Sequence, residues 1–198
     1  MGMEPKDDER GQPAGITRPM ASMLAVAAGL TRLIPHPWNL SPAYATEFFA
    51  GARLRSWHAF AIPLAVRVLT DILLLPYHLP FVTKPILYLA FMPFVYASVT
   101  INILLGRLVA RTESPLRIGS LAIVASVQFF LITNFGVWLG SDVYPATLAG
   151  LAACYAAGLA YYGPTLASYV VFSGVLFGAH AWLTRTSFPA ERVPALAK

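Results

Sequence analysis

Apolar residues run along this chain in long stretches broken by prolines, glycines and arginines, without the strict alternation of a half-buried strand. The stretches cover residues 20–34, 42–54, 57–75, 85–109, 116–139, 145–162 and 165–184, and each reads as a helix. The first ends at the breakers Pro35-His36-Pro37. Pro42 suits the first turn of the second, with Ser41 as its cap. Pro93 lies inside the fourth, and Gly163-Pro164 separates the last two. A bilayer crossing takes roughly 20 residues, so the first two helices are short and fit a tilted or half-buried placement. Residues 145–162 fit either a seventh crossing or an interfacial helix on the outer face.

Composition points to the same solvent. Of 198 residues, 57% are apolar and 12% charged, against about 45–50% and about 25% in soluble domains. That balance excludes an ordinary soluble globule and a disordered chain. The net charge of +5 comes from scattered Lys and Arg with no basic stripe, so no nucleic-acid partner is expected. Residues 1–19 read as a mobile polar tail and 185–198 as a C-terminal tail on the same side. With six crossings, Arg53, Arg55, Arg107, Arg111, Arg117, Arg185 and Arg192 share one side with Lys6, Arg10 and Arg18. The other side keeps only Lys84, and the positive-inside rule makes the arginine side cytoplasmic. The predicted class is an all-α integral membrane protein, a compact bundle of about six transmembrane helices plus an outer interfacial helix. The six-helix domain spans residues 20–184. Both termini are cytoplasmic, and the place is the bacterial inner membrane.

Charges in a bilayer core are costly and mark function or pairing. Arg32, Glu47, Arg67 and Asp71 are such charges, and Asn134 is a polar neighbour in the fifth run. His36, Trp38 and Asn39 sit in the loop between the first two helices, predicted to be on the outer side. Together with Trp138 and Tyr144 they describe an apolar pocket with sparse polar groups, the usual form of a small-molecule site. The same residues also admit a structural reading. Arg67 and Asp71 are four apart and can pair on one helix. Arg32 can snorkel to headgroups, and Glu47 needs Arg32 or Arg67 as its mate.

Small residues recur at intervals of four as Ala21, Ala25 and Gly29, and as Gly174 and Gly178. Such stripes let helices approach closely in lipid. The first is read as internal packing or as a partner-facing surface, the second as internal packing. No phosphate loop, HExxH, GxSxG or Cys–His pair occurs, so no enzyme activity, metal or cofactor is expected.

Three strings carry a resemblance. Residues Arg32 to Pro42 (RLIPHPWNLSP), Thr133 to Leu139 (TNFGVWL) and Tyr144 to Leu151 (YPATLAGL), the last followed by Cys154-Tyr155, resemble a family of uncharacterised bacterial membrane proteins assigned to transport. That family is similar in layout to the substrate-binding S-components of energy-coupling-factor vitamin transporters. The resemblance implies a compact bundle with a pocket near the outer face and uptake of a vitamin-like molecule. It also implies a transmembrane coupling subunit docked on the Ala21-Ala25-Gly29 stripe. Here the family's second proline is Trp38, and an Asn and an Asp are missing from the stretch around 161–169. The loop of residues 76–84 also lacks the cysteine of solitary cobalamin S-components. The alternative expectation is a non-catalytic accessory subunit of a larger membrane complex, its aromatics facing neighbouring helices and membrane lipids.

Overall fold

The computed structural model describes residues 18–37, 39–78, 85–140 and 142–193. Among these the regular structure is all helical, with no strand. Helix α1 is Pro19–Leu30 and runs into a 3-10 turn, Thr31–Leu33. It is followed by α2 (Ala43–Arg53), α3 (His58–His78), α4 (Pro85–Arg107), α5 (Pro115–Gly140) and α6 (Leu148–Thr186), with a last 3-10 turn at Pro189–Glu191. Helices α3 to α6 are long and apolar enough to cross a membrane. At most 33% of the most apolar window of each is buried inside the protein. Their oily side chains therefore cover the outside, which suits lipid rather than water.

Two expectations change here. Residues 145–162 and 165–184 are not separate helices but parts of the 39-residue α6, which passes through Pro164 without ending. One proline removes a single backbone donor, and the flanking turns keep theirs. Thr165 Oγ1 adds a bond to the Tyr161 carbonyl at 3.0 Å. Along α5 the pairing is continuous: Tyr162 meets Ser126, Tyr155 the Leu131 carbonyl, and Cys154 the Asn134 carbonyl. At about 1.5 Å per residue, α6 is roughly 58 Å long, near twice the thickness of a hydrocarbon core.

Helices α1 and α2 do not run the length of the bundle. Their shared turn stops partway up. Asn39 and Ser41 are held by the Ser168 hydroxyl on α6, at 3.1 and 2.9 Å. Tyr44 packs edge-on against Phe129 of α5 with ring centroids 5.1 Å apart. Beyond that level α5 continues to Gly140, roughly 16 Å further. Helix α4 begins a similar distance above Tyr96, which bonds Asp71. Helices α1 and α2 thus form a short hairpin that starts at the arginine-rich end and turns partway along the bundle. Asn39 takes a left-handed φ of 58° at this turn, a conformation asparagine tolerates. The loop expected at the outer face therefore lies partway along the bundle, with Leu33 to Pro37 exposed and Ser41 buried where it meets α6.

Helix α2 is the core. Every residue of it except Tyr44 is buried. It crosses α4 backbone to backbone. A Cβ on Gly51 would collide with the Ile103 carbonyl, and one on Gly106 with the Phe48 carbonyl. At its lower end Arg53 donates to the carbonyls of Val109 (3.1 Å) and Thr112 (2.8 Å) and lies 4.6 Å from the centre of the Phe177 ring. Between α4, α5 and α6, Asn102 donates to the Tyr169 hydroxyl and accepts from Gln128, so its polarity is spent across helices.

Residues 187–193 are not a free tail. Glu191 is buried and caps α1, accepting from the amides of Met20 (2.8 Å) and Ala21 (3.0 Å). A carboxylate there satisfies two orphan donors and opposes the helix dipole. The Ala21-Ala25-Gly29 stripe faces inward. Ala21 and Ala25 are fully buried, and a Cβ on Gly29 would strike Val66 of α3. The chain's own helices occupy the surface expected for a coupling partner. Gly174 and Gly178 behave oppositely, being exposed with open space at their Cβ positions.

This packing predicts a contrast. Gly51→Val should lower the melting temperature in detergent by an overpacking cost of about 1–3 kcal/mol or more. Gly119→Ala, at a site with nothing within 4 Å, should leave it unchanged or slightly raised.

Candidate functional site

The 3-10 turn that ends α1 places Arg32 at mid-height, facing the fourth turn of α3. There Arg32 Nη1 donates to Asp71 Oδ1 at 2.8 Å and to Thr70 Oγ1 at 2.7 Å. Asp71 also accepts on Oδ2 from Arg67 Nε at 3.1 Å and from the Tyr96 hydroxyl at 2.9 Å. The i,i+4 pair expected on α3 is present. It is one edge of a larger cluster that joins α1, α3 and α4. Arg67 turns its Nη1 toward Glu47 Oε1 of α2 at 3.7 Å, beyond hydrogen-bond length. Glu47 Oε2 is buried with no hydrogen-bond partner. Asp71 is thus fully engaged and Glu47 is not.

A cavity of about 690 Å³ lies above the hairpin turn. Its walls are the turn itself (Leu33 to Pro37, Asn39, Ser41), Tyr44, and Leu73, Leu74 and Tyr77 of α3. Arg32 and Arg67 line it, whereas Glu47 and Asp71 do not. The cations face the space with the carboxylates behind them. A second, smaller cavity of about 210 Å³ shares Asn39 and Tyr44 and runs between α4, α5 and α6, past Thr133 and Asn134. The turn therefore has hollow space on both flanks.

Of the residues singled out from sequence, Arg32, His36, Asn39 and Arg67 meet at the larger cavity. Glu47 and Asp71 stand behind it. Asn134 lines the smaller cavity, with its amide donating to the Phe130 carbonyl of its own helix at 2.8 Å. Trp138 and Tyr144 line neither cavity. Trp138 Nε1 donates to the Pro145 carbonyl at 3.0 Å and packs on Phe135, bracing the α5–α6 turn. Trp38 lies outside the described residues. Tyr44, Thr70 and Tyr96 were not foreseen. Tyr44 sits one turn before Glu47 on α2, a spacing visible in sequence. The Tyr96–Asp71 bond spans 25 residues, and no local pattern announces it.

Among the described residues no group of three or more His, Cys, Asp or Glu could hold a metal ion. The hollow presents two arginines together with an apolar rim.

The chain belongs to DUF6580, a family of unknown function. The family's pattern matches residues 15–193, which takes in the whole hairpin, the charge cluster and both cavities. No curated protein and no solved structure matches the chain.

The cluster predicts strong coupling. Asp71→Asn strands two guanidinium groups and should destabilise the protein by about 3 kcal/mol in thermal unfolding. Combining it with Arg32→Met should recover part of that loss, giving a double-mutant coupling of about 1 kcal/mol or more.

Proposed function

We propose that this DUF6580 protein is a membrane receptor for a small, vitamin-like molecule, acting in uptake in the manner of an S-component. The observation that carries the reading is the cavity above the re-entrant turn, oily at its rim and cationic at its base. A ligand with an apolar body and a polar head fits that distribution. In this reading the arginine-rich end is cytoplasmic. The hairpin enters from that side and returns to it, and α3 to α6 cross. Four crossings plus a re-entrant pair leave both termini cytoplasmic, as six crossings would. The cavity then opens toward the extracytoplasmic half, and its floor is the turn of the hairpin. Any coupling subunit has to dock elsewhere than on Ala21, Ala25 and Gly29, because those residues are occupied.

One feature favours a second reading, an accessory subunit of a larger complex. Gly119, Gly174 and Gly178 line an open groove of about 400 Å³ between α5 and α6, a surface that lets another helix approach closely. The two readings separate on gentle solubilisation. A receptor runs as a small particle, whereas an accessory subunit holds a fixed place in a large one.

The receptor reading predicts a retained or added small molecule visible by native mass spectrometry. Arg67→Ala should weaken its binding about ten- to a hundredfold, the loss of a charge-assisted hydrogen bond worth about 1.5–3 kcal/mol. Protein that retains nothing, with a melting temperature that no candidate shifts, would refute it.

A further inference from the structure

We infer that the ligand of this cavity is an organic anion with an apolar body, and that it binds together with one proton carried by Glu47. The inference rests on the receptor reading and narrows it.

Charge balance at the turn is the first argument. Arg32, Arg67, Asp71 and Glu47 sum to zero when all are ionised. The two carboxylates are not equivalent. Asp71 uses both oxygens on Arg32, Arg67 and Tyr96, at 2.8 to 3.1 Å. Glu47 has a single contact at 3.7 Å and one bare oxygen, inside a helix buried on nearly every side. Once Glu47 is neutral the cluster carries one net positive charge. An anion at the two arginines restores zero, at the wall where the cations face open space.

Geometry gives the second argument. An anion seated in the cavity attracts the guanidinium of Arg67 away from Glu47. Among the described residues the basic groups that face Glu47 are Arg32 and Arg67. Its remaining neighbours with titratable side chains are Asp71 on α3, Tyr44 one turn back on α2, and Tyr169 on α6. Asp71 stays committed, and the tyrosines supply no positive charge. A bare carboxylate in this interior carries a desolvation cost of several kcal/mol. A proton passed from hydronium or a buffer acid to a lone pair of Oε2 removes it: the donor's bond to hydrogen breaks, the carboxyl O–H bond forms, and no oxidation state changes. Anion and proton therefore enter as a neutral pair.

The rest of the wall agrees. Ile34, Leu33, Leu73 and Leu74 surround the entrance with hydrocarbon, which selects an anion that brings its own apolar surface over a bare inorganic ion.

The test is calorimetry on the whole protein in neutral-lipid nanodiscs, with three six-carbon probes: hexane-1-sulfonate, hexan-1-ol and hexyltrimethylammonium. None of these probes titrates near neutral pH. Hexane-1-sulfonate should bind at least tenfold more tightly than the other two. Repeated in buffers of differing ionisation heat, it should take up about one proton per anion, and its affinity should fall by up to tenfold per pH unit at alkaline pH. Glu47→Gln, which imitates the protonated state, should bind the sulfonate with no proton uptake and no such pH dependence. Preference for the alcohol or the cation overturns the anion assignment while the receptor reading stands. Sulfonate binding without proton uptake by the wild-type protein overturns the coupling alone. Binding of none of the three refutes the receptor reading and this inference with it.

Discussion

Asp71 stands where three parts of the chain must agree. Its two carboxylate oxygens accept from Arg32 at the end of α1, from Arg67 one turn earlier on α3, and from Tyr96 on α4. The hairpin of α1 and α2 is too short to run the length of the bundle, and its turn is irregular backbone with Leu33 to Pro37 exposed and Ser41 buried. Such a segment stays in place only if its polar groups find partners there. The ion cluster supplies them on the α3 side, and Ser168 supplies them on the α6 side. With these two clamps the turn is pinned at mid-height, and the hollows beside it follow as a consequence.

The surrounding helices reverse the soluble pattern. Their large side chains point outward, and the interior is built from small residues and aromatic rings around the buried α2. Close approach replaces the hydrophobic effect as the source of cohesion, because lipid tails are as apolar as leucine. Gly51 and Gly106 allow α2 and α4 to touch backbone to backbone. Where the packing loosens, above the turn, the only charges among the described residues at that depth are the four of the cluster. A cavity there has an oily rim and a cationic base, the arrangement on which the proposed receptor function rests.

Much of the fold was legible. The apolar runs at 57–75, 85–109 and 116–139 became α3, α4 and α5 with ends shifted by only a few residues, because a helix in lipid must satisfy its own backbone and be apolar along its length. The Arg67–Asp71 pair was legible too, since a spacing of four on a helix brings side chains together. The break at Gly163-Pro164 was misleading. Glycine and proline end helices in water, but in a bundle an uninterrupted partner such as α5 holds the two halves in line. The small-residue stripes were visible, yet their direction was not. Spacing says that a helix can be approached closely and does not say by which neighbour.

The chain's own order of residues thus determined the helical class, the four helices long and apolar enough to cross a membrane, the arginine-rich end and the identities of the interior charges. Each of these follows from local composition and period. The tertiary structure alone decided that α1 and α2 turn back at mid-height, that Asp71 is saturated while Glu47 is left half-bare, and that the arginines face the hollow with the carboxylates behind them. Those outcomes depend on contacts between residues 20 to 170 positions apart, where the balance between packing and the desolvation of charge is struck in three dimensions and leaves no periodic trace in the sequence.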